Sequence, residues 1–367
     1  MQPKRMLLLC LAAVALFLLV PCQVQASELS EIYEKSGAGE LYDSLDQGTQ
    51  DLLSQAGVED GMWGASEGEE LFQAISQVLR EKLTAPLKGV AALLAVVILC
   101  RLAGCFEEGS GAALLAGTLA CASVLTAPLL ELIRAAEEVI DSACVFLGAS
   151  APVYSALLVA SGNTAVSGSY SFLTLAASGL IAGVSKAMLM PLLHAFLMLS
   201  LASSLCGMKF DRLLTSLYSF SKWMLVFAVT LFSGILSVQT VLNAQVDAAS
   251  GKTVKLIASS AIPIVGGAFG DAVGAIQSSL QIVKSGVGAF GVLAALCIFV
   301  PTILQAVLWM GVCLLGQTAA ELFDTPKLSA LFGACSSVAK LVLAVLVSVC
   351  AAVVVSTALV LFVKGSL

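Results

Sequence analysis

The side chains able to do chemistry are few. His194 is the only histidine, within Met190-Pro191-Leu192-Leu193-His194-Ala195, and no His, Asp or Glu stands three or four residues from it. A metal site needs several such ligands on converging faces, so none is expected. Gly286-Val287-Gly288-Ala289-Phe290-Gly291 spells a dinucleotide-binding pattern. That pattern works only between the strand and helix of a soluble βαβ unit. Here it opens an apolar run, where glycines let helices approach closely. No Walker A loop, HExxH or GxSxG is present. Catalytic residues: none; cofactor-binding residues: none; metal ligands: none. The chain is not expected to be an enzyme. Cysteines 100, 105, 121, 144, 206, 297, 313, 335 and 350 stand singly in apolar stretches, with no CxxC among them. Such cysteines read as small buried hydrophobes.

The ionisable residues inside apolar stretches carry more information. Lys186 and Asp271 lie within them, with Arg101 and Lys340 nearer their ends. A charge at mid-bilayer costs about 2.5–3.5 kcal/mol on insertion scales, so a retained one lines a cavity or has a partner. Lys186, His194 and Asp271 are thus a candidate polar pathway. The competing reading makes Lys186 an interfacial helix-end residue and His194 a packed polar group bonded between helices.

The stretch 250–291 is the most informative. Gly266, Gly270 and Gly274 form a double GxxxG, the small-residue seam along which two membrane helices pack. Pro263 and Gly266-Gly267 would bend or break a helix just before it. Irregular backbone at membrane depth survives only inside protein or against a water-filled cavity. Residues 256–285 therefore read as a re-entrant or interface-lying hairpin. Pro263, Gly266, Gly267, Gly270, Asp271, Gly274, Gly288 and Gly291 are its candidate helix-packing or partner seam. Both helix packing and a permeation or partner site fit this pattern.

The elements that must position these residues are membrane helices. The 367 residues are 59% hydrophobic and 11% charged, with a mean hydropathy of +1.00. Soluble domains carry about 25% charged residues, so lipid must be the main solvent. With 18 Lys+Arg against 24 Asp+Glu, no phosphate-neutralising surface exists and nucleic acid is not an expected partner. The charge is uneven: residues 27–87 hold thirteen acids and three bases, while the rest of the chain is close to neutral.

Three domains follow. Residues 1–26 read as a signal peptide: Lys4 and Arg5, an apolar run from Met6 to Val20, then Val24-Gln25-Ala26 as a cleavage pattern. An uncleaved anchor is the alternative, and lipidation at Cys22, which Pro21 fits badly, is a third reading. Residues 27–87 read as an acidic extracytoplasmic segment. It is broken by glycines and ends in an amphipathic helix on Leu71, Ile75, Val78/Leu79 and Leu83. Residues 88–367 are the polytopic membrane domain. Its apolar windows fall at 88–106, 111–130, 143–161, 171–206, 222–243, 286–316 and 333–363. The window 171–206 holds Lys186 and Pro191 and reads as two helices meeting there. Pro301 makes 286–316 either one kinked helix or a broken pair. The expected fold is all-α, with seven or eight transmembrane helices and one re-entrant or interfacial hairpin. Residues 131–142 are an acidic outer loop and 207–222, with Lys209, Arg212 and Lys222, a basic inner one.

Gly251-Lys252-Thr253-Val254-Lys255, Pro263-Ile264-Val265-Gly266-Gly267, Asp271, and Val287-Gly288 with Gly291 leading into Pro301 make residues 85–365 similar to the stage III sporulation protein AE family of endospore-forming bacteria. The order of signal peptide, polar segment and polytopic domain agrees. Where that family tends to carry an amide after a lysine, this chain has Ser285-Gly286 after Lys284. The resemblance implies a subunit of the channel complex joining mother cell and forespore. The protein would sit in the mother-cell membrane that faces the forespore, with its acidic segment between the two membranes. Implied partners are the lipid bilayer, a secretion-type ATPase and ring-forming membrane proteins of the same operon, and further copies of itself. A scaffold or export-gate-like role and a small-molecule permease, within or outside that complex, both remain open.

Overall fold

A computed structural model describes residues 38–55, 58–59, 62–63, 68–106, 111–160, 164–206, 210, 212–232, 234–235, 237 and 266–362. The signal region 1–26 and Pro263 lie outside the described residues.

With no water to satisfy peptide groups in lipid, a chain this apolar must close its hydrogen bonds within each segment, as helix. Nine helices occur among the described residues: α1 (Ala38–Asp43), α2 (Gln47–Gln55), α3 (Gly68–Phe106), α4 (Gly111–Ala160), α5 (Thr164–Val184), α6 (Met190–Cys206), α7 (Arg212–Phe232), α8 (Gly266–Leu322) and α9 (Pro326–Phe362). A two-residue antiparallel pair, β1 (Val58–Glu59) with β2 (Met62–Trp63), follows α2. Six stretches are long and apolar enough to cross a membrane: Ser76–Leu102, Leu115–Ala160, Ser167–Ser203, Arg212–Phe232, Gly286–Leu322 and Pro326–Ala358. The fold is an all-α polytopic membrane bundle.

The helices are longer than the sequence windows. Windows 111–130 and 143–161 are two parts of α4, so the acidic outer loop expected at 131–142 is helix. Window 171–206 does not contain a chain reversal. α5 passes into α6 through a π-helical turn, Ser185–Leu189, whose flanking residues Val184 and Met190 keep right-handed helical dihedrals. Pro191 accounts for that turn. It has no N–H for the Ala187 carbonyl and its ring crowds it, while the Met190 N–H reaches five residues back to the Ser185 carbonyl. These mergers remove two crossings before residue 207. The basic stretch 207–222 therefore keeps its parity relative to the acidic helices.

Two other expectations also change. Residues 266–285, assigned to a re-entrant or interfacial hairpin, run as helix straight into the span that follows, and Pro301 lies inside the same helix. Residues 256–265 are outside the described residues. The boundary drawn at 87/88 between the amphipathic helix and the first span falls inside one helix, α3, which contains Pro86. Within the acidic segment, Ala38–Asp43 and Gln47–Gln55 are helices despite Gly39 and Gly48. Asp46 caps α2, accepting from the Thr49 N–H at 3.2 Å and the Thr49 hydroxyl at 2.7 Å. Leu41, Leu45 and Leu53 are buried in the same core as the membrane helices, and the Tyr42 ring lies 6.4 Å from that of Phe290.

The α8–α9 hairpin is the centre of the bundle. Its turn is a Schellman motif: the Thr325 N–H donates to the Ala320 carbonyl at 2.9 Å and the Asp324 N–H to the Glu321 carbonyl at 3.1 Å. Asp324 takes a left-handed conformation, φ 54°. Thr325 and Pro326 then start α9, the proline at the first helical position where its missing N–H costs nothing. Between the two helices Gly316 leaves room for the Phe332 ring, since a Cβ there would fall 2.8 Å from Cε1. In lipid, helices cohere through such van der Waals fits, because apolar burial itself gains little.

Candidate functional site

Four helices meet at one fully buried polar node. Tyr154 on α4 and Tyr170 on α5 are both 0% exposed, their rings edge to face at 6.1 Å. The Tyr154 hydroxyl donates to the Val287 carbonyl of α8 at 3.5 Å, and the Tyr170 hydroxyl to the Ser356 carbonyl of α9 at 3.4 Å. Gly291 of α8 lies under Tyr154. A Cβ on it would collide with the tyrosine hydroxyl, come within 3.1 Å of Cζ and sit 3.6 Å from Thr357 Cβ. The phenols thus anchor one helix pair to the other through backbone carbonyls, and the glycine admits them. Gly288 is buried one turn earlier. Of the eight candidate seam residues, Gly291 is the one with described neighbours on other helices, Tyr154 and Thr357. Gly266, Gly267, Gly270, Asp271 and Gly274 lie on the first turns of α8, but their side-chain surroundings are outside the described residues.

The same two helices, α4 and α5, run antiparallel in a regular polar register. The Ser155 and Ser167 hydroxyls meet at 2.7 Å, the Ser171 hydroxyl donates to the Ala151 carbonyl at 3.3 Å, and the Ser178 hydroxyl to the Cys144 carbonyl at 3.0 Å. The Cys144 thiol returns a bond to the Ser178 carbonyl at 3.7 Å. Small hydroxylated residues let the two backbones approach and satisfy one another.

This register ends in a charged pair. Lys186, in the π turn, places Nζ 2.8 Å from Asp141 Oδ2 of α4, with the two side chains 52% and 40% exposed. Asp141 closes a run on α4 that also holds Glu131, Arg134, Glu137 and Glu138. Lys186 is thus a partnered residue on the outside of the helix pair.

His194 does something else. Its Nδ1 lies 2.9 Å from the Met190 carbonyl, one turn back on the same helix, so it bonds within α6 and not between helices. Lys186 and His194 are not joined by a described bond, and Asp271 belongs to a different helix. The candidate polar pathway is not assembled by these contacts. Sequence reasoning missed Tyr154, Tyr170 and Asp141. Tyr154 lies within the apolar window 143–161 and Tyr170 just before 171–206, with no local pattern that marks either.

A second aromatic group lies at the edge. Phe220, Trp223 and Phe227 stack along α7, with centroids 5.9 and 5.6 Å apart. Trp223 is 58% exposed, and the helix is held to α6 by Phe196 against Tyr218 at 6.2 Å.

Comparison with known proteins places this arrangement. No solved structure matches the chain. A curated relative, the stage III sporulation protein AE of Bacillus subtilis (strain 168), is 31% identical over 171 residues, covering 45% of this chain and 42% of the relative. The aligned part is thus less than half of either protein. The family model described as stage III sporulation protein AE matches residues 56–363, from the β1–β2 pair to the end of α9. The chain belongs to the stage III sporulation protein AE family.

Proposed function

We propose that this sporulation protein is a membrane subunit of the channel complex between mother cell and forespore. In this reading it is a scaffold or export-gate-like component and not an enzyme. It sits in the mother-cell membrane that faces the forespore, with α1 and α2 on the outer side and residues 207–222 in the mother-cell cytoplasm. Its partners are the secretion-type ATPase and ring-forming membrane proteins of its operon, and further copies of itself.

Family membership supports the sporulation role. The subunit reading, over a permease, is carried by the buried node. Tyr154, Tyr170, Phe146, Phe290, Phe299 and Phe332, carried by α4, α5, α8 and α9, are all without solvent exposure. The charged pair lies outside that packing, half exposed.

Heat-resistant spore counts test this. The double variant Lys186→Gln, Asp271→Asn should sporulate like the parent, whereas loss of spores with intact protein levels would favour a permease that uses those residues. Gly270→Leu should reduce co-purification with the operon's membrane proteins if the double GxxxG is a subunit contact. Unchanged co-purification would remove that contact from the proposal.

A further inference from the structure

α4 is too long for one bilayer and is divided where its charges lie. Its 50 residues rise about 75 Å, against a hydrocarbon core of about 30 Å. Glu131, Arg134, Glu137, Glu138 and Asp141 separate two apolar halves, each about as long as one hydrocarbon thickness.

The neighbouring helices bring polar residues to the same height. Gly117 of α4 meets Cys100 of α3, where a Cβ would collide with the thiol. Counting back along this antiparallel pair sets Arg80, Glu81 and Lys82, all exposed, beside Glu137. The α4–α5 register brings Lys186 to Asp141. α8 meets Tyr154 of α4 at Gly291 and Gly89 of α3 at Trp309, so it runs antiparallel to α4, α9 runs parallel to α4, and the exposed Lys340 lies near the same level. Charges from α3, α4, the π turn and α9 thus form one belt around the bundle. Glu131, Arg134 and Glu138 in it are exposed, so the belt is not neutralised by burial.

α7 shows which half the lipid covers. It reaches the bundle through Tyr218 on Phe196. From that contact its antiparallel course along α6 spans only the half between the belt and Arg212. Its 21 residues rise about 31 Å. Leu213, Phe220, Trp223, Val226, Phe227, Val229 and Leu231 are all at least 40% exposed, a surface that only lipid solvates without a partner. The same half carries exposed Ile98, Leu99 and Leu102 on α3 and Leu115 and Leu119 on α4, while the other half exposes fewer large apolar side chains: Val145, Val159, Phe172, Leu175 and Val355. Arg101 and Arg212 mark its far edge, and Arg80 to Arg101 on α3 is again one hydrocarbon thickness.

We infer that the belt of Arg80–Lys82, Glu131–Asp141, Lys186 and Lys340 lies at a bilayer surface. Hydrocarbon covers only the half of the bundle that contains α6 and α7. The other half, with α5, the upper parts of α4, α8 and α9, and the tyrosine–glycine node, stands about 30 Å clear of the hydrocarbon, on the side of α1 and α2. Each of the six apolar helices then crosses once. The π turn falls at the boundary, where a widened backbone turn can be hydrated. This placement does not rest on the sporulation role.

Two labelling reactions on the full chain in liposomes test it, with sites located by mass spectrometry. A water-soluble carbodiimide with a glycine ester, admitted to both faces by freeze–thaw, should modify Glu131 and Glu138 as readily as Asp43 and Asp51. A phospholipid with a diazirine near the acyl-chain terminus should label Val226, Phe227 and Leu99 many-fold more than Phe172 and Leu175, the latter pair 72% and 53% exposed. Two outcomes overturn the inference: carboxylates at 131 and 138 that react only after detergent solubilisation, or acyl labelling at Phe172 and Leu175 equal to that on α7.

Discussion

Gly291 has no room for a methyl group, because the space over its Cα is taken by the Tyr154 hydroxyl and ring edge. Gly291→Ala should therefore destabilise the bundle by about 1–3 kcal/mol, the usual cost of overpacking, read as a lower melting temperature in detergent. Adding Tyr154→Phe removes the colliding oxygen and should recover part of the loss. A double variant no better than the single one would show that the hydroxyl is not the obstacle. Lys186 gives the opposite expectation. Its pair with Asp141 is half exposed, so Lys186→Met should leave the melting temperature nearly unchanged. A large fall in melting temperature would mean that the pair is shielded from water. At this scale the sequence was partly legible. Gly288 and Gly291 stood out because a GxGxxG in an apolar run has only packing to explain it. Tyr154 did not, since its meaning depends on a carbonyl 133 positions away, and nothing local to residue 154 announces it.

At the scale of elements, the α8–α9 turn and the π turn make contrasting claims. Asp324 holds a left-handed conformation that costs an ordinary L-residue about 1–2 kcal/mol and glycine almost nothing. Asp324→Gly should stabilise the hairpin by about 0.5–1 kcal/mol, seen as a raised melting temperature. No gain would indicate that the aspartate side chain already offsets the strain. The π turn carries one residue more than an α-helical turn. Deleting Met188, which is exposed, should turn it into regular helix. α5 and α6 would each stay in register with their neighbours, Lys186 would be re-aimed, and folded yield would be near normal. Deleting Gly168 within α5 turns Ser167 by about 100° relative to Ser171 and Ser178 and breaks the serine register, so its yield should collapse. Equal yields from the two deletions would argue against this account. The apolar windows were legible because span length and hydropathy are local. Their continuity was not, because charge at 131–141 resembles a loop. The better signal was the run Glu131-Leu132-Ile133-Arg134-Ala135-Ala136-Glu137-Glu138, helix formers throughout with no glycine or proline to end the helix.

For the whole molecule, the distribution of polar height decides how the bundle sits in lipid. A chain whose hydrocarbon layer reached from Leu115 to Ala160 would need a slab more than twice the usual thickness, or charges at 131–141 buried in it. A chain bounded by the belt needs a slab matched to α7, 21 residues long. Mismatch costs fractions of a kcal/mol per Å and is met by tilt or by bilayer deformation. Thermal stability in liposomes of graded acyl length should therefore peak near a 30 Å hydrocarbon core and decline as the chains lengthen further. α7 should be the first helix to lose protection in hydrogen exchange, since only 11% of its span is buried against the bundle. A stability that keeps rising with acyl length would place the lipid boundary beyond the charged belt. It would then require the exposed carboxylates of α4 to find partners in another subunit, making assembly, and not the bilayer surface, the origin of the belt.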